Sequence, residues 1–201
     1  MKLLLIGSTG KTGQYIRYFV EQKGIQTKLF VRTLREPGPN IVIGDVRDQK
    51  DVNEAMTGVD GVICSLNTES NGTLISGMSN VIEAMIKYKV KRLVTIGTAG
   101  ILQSVLQPEL LRYQSIENKR TNHEAAMEHH QVYTKLMNTS LDWTIICPTR
   151  LVQDEQSGHY RVQKNVLPSD GSKISFMDTA EFAVSEYFDR SFVRERVGIC
   201  Y

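Results

Sequence analysis

Short apolar runs alternate along the chain with segments whose apolar residues fall three and four apart. Residues 2–6 (KLLLI) form the first run, and residues 14–23 then set Ile16, Phe19, Val20 and Lys23 at helical spacing before Gly24, a residue suited to end a helix. Further strand-like runs lie at 28–31, at 41–43 after a turn made by Glu36-Pro37-Gly38-Pro39-Asn40, and at 59–66. A short helix is expected at 51–56, a longer one around 80–88 with Val81, Met85 and Tyr88 on one side, and a fifth strand at 92–96. A polar, helix-prone stretch over 108–138 leads to a sixth strand at 143–147, stopped by Pro148. The tail holds a strand at 173–176, a helix at 178–189 and a last run at 197–201.

Strands that are apolar throughout and separated by helices imply a parallel sheet covered on both faces, because each crossover lays a helix on one of them. The expected fold class is therefore α/β, a doubly wound parallel sheet in a single domain over 1–201, with a small substrate-side region at about 148–178. Such sheets bind ligands beyond the carboxyl ends of their strands. That directs attention to the loops after Ile6, Val31, Ile43, Leu66, Ile96 and Cys147.

Composition narrows the picture by exclusion. A chain of 201 residues with 41% hydrophobic and 23% charged residues can bury roughly 70% of its unfolded surface in one domain. The formal charge is +2 and the basic residues are interspersed with acidic ones, so no nucleic-acid surface is indicated. Leu3 to Ile6 is too short for a signal core or a membrane span, and a cytoplasmic protein with no membrane partner is expected. Cys64, Cys147 and Cys200 sit in apolar runs without paired spacing, which suits buried reduced thiols rather than disulfides or a metal site.

The chemistry begins at Gly7-Ser8-Thr9-Gly10-Lys11-Thr12-Gly13. Gly-Lys-Thr evokes a phosphate-splitting P-loop, but that loop needs glycine five places before Gly10, where Leu5 stands inside the strand. Without the loop, Ile41-Val42-Ile43-Gly44-Asp45 has no magnesium-binding part to play. The dinucleotide reading needs a glycine for the tight turn, a close backbone approach to a pyrophosphate, and a glycine where helix meets strand. Gly7, Gly10 and Gly13 supply these at G-x-x-G-x-x-G spacing, with Ser8, Thr9 and Thr12 offering hydroxyls and a helix N-terminus offering N–H donors. At the end of the second strand stand Arg32 and Arg35 instead of the acidic residue that bonds a ribose 2′-hydroxyl. Guanidinium favours a 2′-phosphate, so NADP(H) is preferred over NAD(H), with Lys11 a third cation.

With these residues, and with Val31-Arg32, Gly44-Asp45-Val46, Val94-Thr95-Ile96-Gly97-Thr98-Ala99, Leu141-Asp142-Trp143-Thr144-Ile145-Ile146-Cys147-Pro148 and Ile174-Ser175, nearly the whole chain resembles the atypical short-chain dehydrogenases of the NAD(P)-binding, NmrA-like group. Its type is similar to biliverdin reductase B and flavin reductases. The resemblance implies a Rossmann-type fold in which Asp45 and Val46 flank the adenine and Leu66 and Asn67 line the ribose and nicotinamide side. It further implies that Thr98 follows the fifth strand beside the nicotinamide and that Pro148, Thr149 and Arg150 close over it. A monomer or weak homodimer is expected by the same likeness.

Ordinary short-chain dehydrogenases use Tyr-x-x-x-Lys as the acid in hydride transfer. Tyr113 is followed by Glu117 and Tyr133 by Met137, and the chain is expected to lack that pair. Flavins, quinones and tetrapyrroles accept hydride readily once stacked on the nicotinamide, so a reductase of planar conjugated acceptors needs less from the protein. Thr98 and Arg150 are the candidates to orient the acceptor, and Tyr133 or His130 to supply a proton. His123 and His130, seven apart, share a helix face, but no carboxylate or cysteine pattern completes a metal site. Two other readings stay open: an NmrA-like NADP(H)-sensing regulator without turnover, and a sugar-nucleotide epimerase or dehydratase.

Overall fold

The computed structural model describes residues 1–33, 38, 40–68 and 72–201. Arg35 and most of the turn expected at 36–40 lie outside the described residues. In chain order the elements are β1 (Lys2–Ile6), α1 (Lys11–Gln22), β2 (Gln26–Val31), β3 (Ile41–Ile43), α2 (Gln49–Met56), β4 (Gly61–Cys64), α3 (Thr73–Lys87), β5 (Arg92–Ile96), α4 (Glu124–Met137), β6 (Asp142–Pro148), β7 (Arg150–Val152), β8 (Arg161–Lys164), β9 (Lys173–Ser175), α5 (Phe176–Asp189) and β10 (Glu195–Cys200). One-turn 3-10 helices lie at Ala99–Ile101 and Arg112–Gln114.

Eight strands make the central sheet in the order β3-β2-β1-β4-β5-β6-β10-β8. All neighbours are parallel except β8, which runs antiparallel to β10. The middles of β1, β4, β5 and β6 are mostly apolar and buried because both faces are covered. Leu3, Leu5, Ile63, Val94, Ile146 and Val197 meet Ile16 and Val20 of α1 and Ala180, Ala183 and Val184 of α5 on one face. Leu4, Ile6, Val62, Leu93 and Ile145 meet Met56 of α2, Met78, Val81 and Met85 of α3 and Leu136 of α4 on the other. Each such Leu or Ile, fully buried, contributes about 1.5–3 kcal/mol from area removed from water. The alternation of β1 between two cores, Leu3 and Leu5 against Leu4 and Ile6, is what makes the sheet doubly wound.

Among the described residues one ion pair is buried in this core, at the end of the sheet opposite the strand ends that matter for binding. Arg92, the first residue of β5, sets Nη2 2.9 Å from Glu186 Oε1 and donates from Nη1 to Thr144 Oγ1 at 2.8 Å. Nε and both Nη groups also reach the main-chain carbonyls of Asp142, Glu186 and Tyr187, so the buried guanidinium is fully engaged.

Several boundaries differ from the hydrophobic pattern. The helix-prone stretch over 108–138 is helical from 124 only, apart from the 3-10 turn at Arg112–Gln114. Upstream, polar side chains bond the local backbone instead: Gln103 Nε2 donates to the carbonyls of Pro108 and Leu110, and Ser104 Oγ accepts from Gln107 N. The hydrophobic pattern does not predict β7, which is only three residues long, or β8, which is mostly polar. β8 joins the main sheet, while β7 and β9 pair as a separate parallel ribbon, so the 148–178 region is partly woven into the sheet.

Candidate functional site

The sheet order reverses direction at β1, whose neighbours are β2 on one side and β4 on the other. Beyond the carboxyl ends of these strands lies a cleft of about 290 Å³ lined by Gly7, Thr9, Gly10, Val31, Arg32, Thr33, Gly44, Val46, Ser65, Leu66 and Asn67 among others. Gly7 leaves β1 with φ +80°, and a Cβ there would lie 2.6 Å from the carbonyl oxygen of Ser65. Gly13 sits where α1 meets that turn, and a Cβ on it would come 2.0 Å from the Gly7 carbonyl oxygen. Gly10 is the open one: its nearest neighbour would be Gly7 O at 3.4 Å, and its own face borders the cleft. Gly10 is also the N-cap of α1 with no side-chain cap, so the first amides of the helix are left for a ligand. Ser8, in the same turn, holds a buried hydroxyl with no protein partner. A glycine cradle, open helix amides and an orphaned hydroxyl together fit a pyrophosphate.

Ser65 fixes the turn from the β4 side, its Oγ donating to the carbonyls of Ile6 and Gly7 at 3.3 and 3.2 Å. Lys11 turns from the cleft toward α5, with Nζ 5.4 Å from the Phe176 ring centre, and Thr12 is buried in the first turn of α1. Arg32 and Thr33 border the cleft at the end of β2, and no carboxylate stands among the described lining residues. Asp45 departs from the adenine role the resemblance implies. Its carboxylate faces Arg47, which donates from N, Nε and Nη2 at 2.9, 3.0 and 2.5 Å. These hydrogen bonds from Arg47, side chain first, hold the Asp45 carboxyl down at about 2. Gly44 and Val46, not Asp45, border the cleft. Val46 is seated there by Asn80, whose Nδ2 donates to its carbonyl at 3.0 Å.

A second cleft of about 220 Å³ opens beyond β5 and β6, lined by Thr98, Gly100, Arg112, Tyr113, Arg120, His123, Pro148, Thr149 and Arg150 among others. Thr98, Pro148, Thr149 and Arg150 are thus brought together. Thr98 caps the 3-10 turn by accepting from Gly100 N at 3.4 Å, and the buried Thr149 hydroxyl, like that of Ser8, has no protein partner. Tyr113 was weighed in the sequence only for the lysine it lacks. In the fold its hydroxyl lies 3.0 Å from Nδ1 of His130, and its ring meets the His123 and His130 rings edge-on at 6.0 and 5.8 Å. The seven-residue spacing of His123 and His130 was the one trace of this arrangement in the sequence.

Tyr133 is not among the residues lining this cleft. Its ring packs against Trp143 at 5.9 Å, and the Arg196 guanidinium lies 4.2 Å from its centre. The expected absence of Tyr-x-x-x-Lys also needs correction, since Tyr160 is followed by Lys164. Lys164 ends β8 and Tyr160 immediately precedes it, and residues four apart in extended chain are about 13 Å apart. Tyr160 donates to Glu181 and Lys164 pairs with Glu195 at 2.5 Å, so the lysine cannot tune the phenol. Among the described residues no group of three or more His, Cys, Asp or Glu could hold a metal, and no helix is long and apolar enough to cross a membrane.

Comparison with known proteins agrees with this geometry. The model of a family described as NAD(P)H-binding matches residues 7–190. A UDP-glucose 4-epimerase of Rickettsia canadensis is 29% identical over 198 residues, covering 86% of this chain and 51% of that protein, so the chain spans about half the length of this curated relative. A Burkholderia pseudomallei structure described as a "Putative exported protein" is 26% identical with a TM-score of 0.88, each chain covered in full. A "putative NADH-flavin reductase" from Streptococcus pneumoniae shares the fold at 21% identity and a TM-score of 0.85, over 100% of this chain and 99% of its own.

Proposed function

Because the chain belongs to the NAD(P)H-binding family, and so takes NAD(P)(H) as its cofactor, we propose that it is an NADPH-dependent reductase of flavins, quinones or other planar conjugated acceptors. The observation that carries the NADPH preference is the end of β2, where Arg32 and Thr33 border the cleft and no carboxylate stands among its described lining residues. The cofactor, when bound, supplies a hydride. Gly7, Gly10 and the first amides of α1 hold its pyrophosphate, with Ser8 and Thr9 hydroxyls beside them; Val46 and Leu66 pack the adenosine side. Arg35 is assigned to the same 2′-phosphate on its sequence position alone. Thr98, Thr149 and Asn67 orient the nicotinamide half, and Pro148 shields it from solvent.

The second cleft is the acceptor site in this reading. Arg112, Arg120 and Arg150 line it against one carboxylate among the described lining residues, Glu117, which Arg112 pairs at 3.5 Å. This balance favours an acceptor that carries a phosphate or carboxylate, with Arg150 at the mouth. Holding a flat acceptor against the nicotinamide is the chief catalytic contribution required. Three buried free cysteines suit a reducing cytoplasm. The half-length match to an epimerase does not favour epimerisation, since Tyr160 and Lys164 bracket the extended start and end of β8 and both side chains are engaged elsewhere. The decisive experiment is NADPH oxidation with FMN, riboflavin, biliverdin and a quinone panel. Turnover above background supports the reading; NADPH binding without turnover on any of them refutes it and favours a cofactor-sensing regulator.

A further inference from the structure

A quinone or conjugated carbonyl that takes a hydride must also gain a proton on oxygen, and in water-poor sites the rate depends on an acid placed beside it. Tyr113 borders the acceptor cleft; His130 does not line it and lies behind the phenol, half-buried, bonded to it through Nδ1. His123, the N-cap of α4, holds the other side of the ring, and is itself fixed by Nε2 contacts at 2.7 Å to the Arg120 carbonyl and 3.1 Å to Asn118 Nδ2. Tyr133 stacks on His130 at 6.5 Å with the rings 28° apart, and the Arg196 guanidinium lies over the Tyr133 ring. The Arg196 guanidinium is buried, bonded to the Ile101 carbonyl, and pairs with no carboxylate among the described residues.

We infer that Tyr113 is the catalytic acid of the acceptor site and that His130 re-protonates it, a relay that takes the place of Tyr-x-x-x-Lys. The inference rests on the reductase reading above. Hydride, two electrons with one proton, passes from the reduced nicotinamide to the acceptor, and the acceptor oxygen takes the phenol proton of Tyr113. As the phenolate recovers a proton from His130 Nδ1–H, Nε2 of the same ring takes one from solvent so that no imidazolate forms, and exchange with solvent then returns the ring to its Nδ1–H tautomer. The sum is one reduced nicotinamide, one acceptor and one solvent proton consumed, with oxidised nicotinamide and reduced acceptor released. The relay needs a neutral imidazole at rest, and burial first and then the nearby Arg196 charge lower the His130 pKa. Arg196 and Tyr133 act through His130 and are positioning residues.

The test compares wild type, Tyr113→Phe and His130→Gln in three measurements. NADPH affinity, read by fluorescence titration, should be the same in all three and reports intact folding. With a quinone acceptor, Tyr113→Phe should lower kcat by about 100-fold or more, the usual range for a lost general acid, and His130→Gln should lower it less and recover with added imidazole. In the cofactor-free protein, nitrogen NMR of labelled histidine should show the His130 Nδ1 signal move on Tyr113→Phe. If wild type turns over and Tyr113→Phe matches it, or the His130 signal stays in place, the relay is overturned and the reductase reading stands. If wild type binds NADPH and reduces no acceptor, both fall. If His130→Gln is as slow as Tyr113→Phe and imidazole does not restore it, His130 is structural and the relay is overturned.

Discussion

Gly10 and Gly13 lie three residues apart in one loop, yet replacing each by alanine should have opposite consequences. At Gly13 the new methyl meets main chain, 2.0 Å from Gly7 O and 2.8 Å from Gly7 C. Main chain cannot swing aside as a side chain can, so the cost lies at the upper end of overpacking, about 3 kcal/mol. Alanine in a helix regains about 1 kcal/mol over glycine, leaving a net loss of about 2 kcal/mol. In urea that lowers the midpoint by about 1 M for an m-value of about 2 kcal/mol/M. At Gly10 the backbone is extended, φ −75° and ψ 167°, and the methyl stands 3.4 Å from its nearest neighbour. Alanine is a poorer N-cap than glycine by some tenths of a kcal/mol, and the stiffer unfolded chain returns a similar amount, so stability should stay within about 0.5 kcal/mol. The methyl nevertheless fills space where the pyrophosphate must approach, and NADP(H) affinity should fall by about tenfold or more, 1.4 kcal/mol. The pair is measured by urea melts and by cofactor titration of the same preparations. Gly10→Ala binding as tightly as wild type would refute the assigned path of the pyrophosphate; an unchanged midpoint for Gly13→Ala would refute the packing.

Arg32→Ala should weaken NADPH by about 10- to 100-fold, the worth of charge-assisted bonds to a 2′-phosphate, and leave NADH nearly unchanged; equal losses in a paired titration contradict the role. Glu186→Ala strands the buried Arg92 charge and should destabilise the fold by about 3–5 kcal/mol, seen as a large drop in Tm without an altered NADPH affinity once folded. Asp45 carries a carboxyl pulled from 3.8 down to about 2, a depressed folded value. Its stabilisation is present above pH 3.8 and lost as pH falls toward 2. The pair with Arg47 is half-exposed, so Asp45→Asn should remove less than about 1 kcal/mol at neutral pH and flatten that part of the acid limb in a pH series of melts. A full-sized acid limb in the variant would show that other carboxylates carry it.

How far the sequence speaks depends on whether a residue's neighbours are near it in the chain. β1, β3 and β5 were legible to the residue because each apolar run stops at a glycine, Gly7, Gly44 and Gly97. The glycine loop was legible because its strain is local: Gly7 and Gly13 touch each other's turn. The start of α1 at Lys11 was not, since Lys11, Thr12 and Gly13 show no apolar period and are helical only because the turn before them aims the chain. Asp45 was misplaced for a related reason, as a carboxylate two residues from an arginine closes on it before it can serve a ligand. Tyr113 lay in a stretch that resembles an α-helix and forms only a 3-10 turn between loops, and its partner His130 is 17 residues on. Only the fold joins them.

Asp178 shows what one buried carboxylate does for the irregular segment between β7 and β8. It accepts from the amides of Ser157 and Gly158 at 3.0 and 2.9 Å, from Ser175 Oγ at 3.1 Å and from the Tyr201 hydroxyl at 2.6 Å, while its own amide donates to Ser175 Oγ to start α5. Burial works to raise its carboxyl, and these bonds outweigh it and hold the group ionised. A chain segment of irregular conformation is thereby bolted to a helix that the sheet itself clamps. Its amides at Ser157 and Gly158 should exchange with solvent as slowly as the first turn of α5, because neither can open without releasing the other.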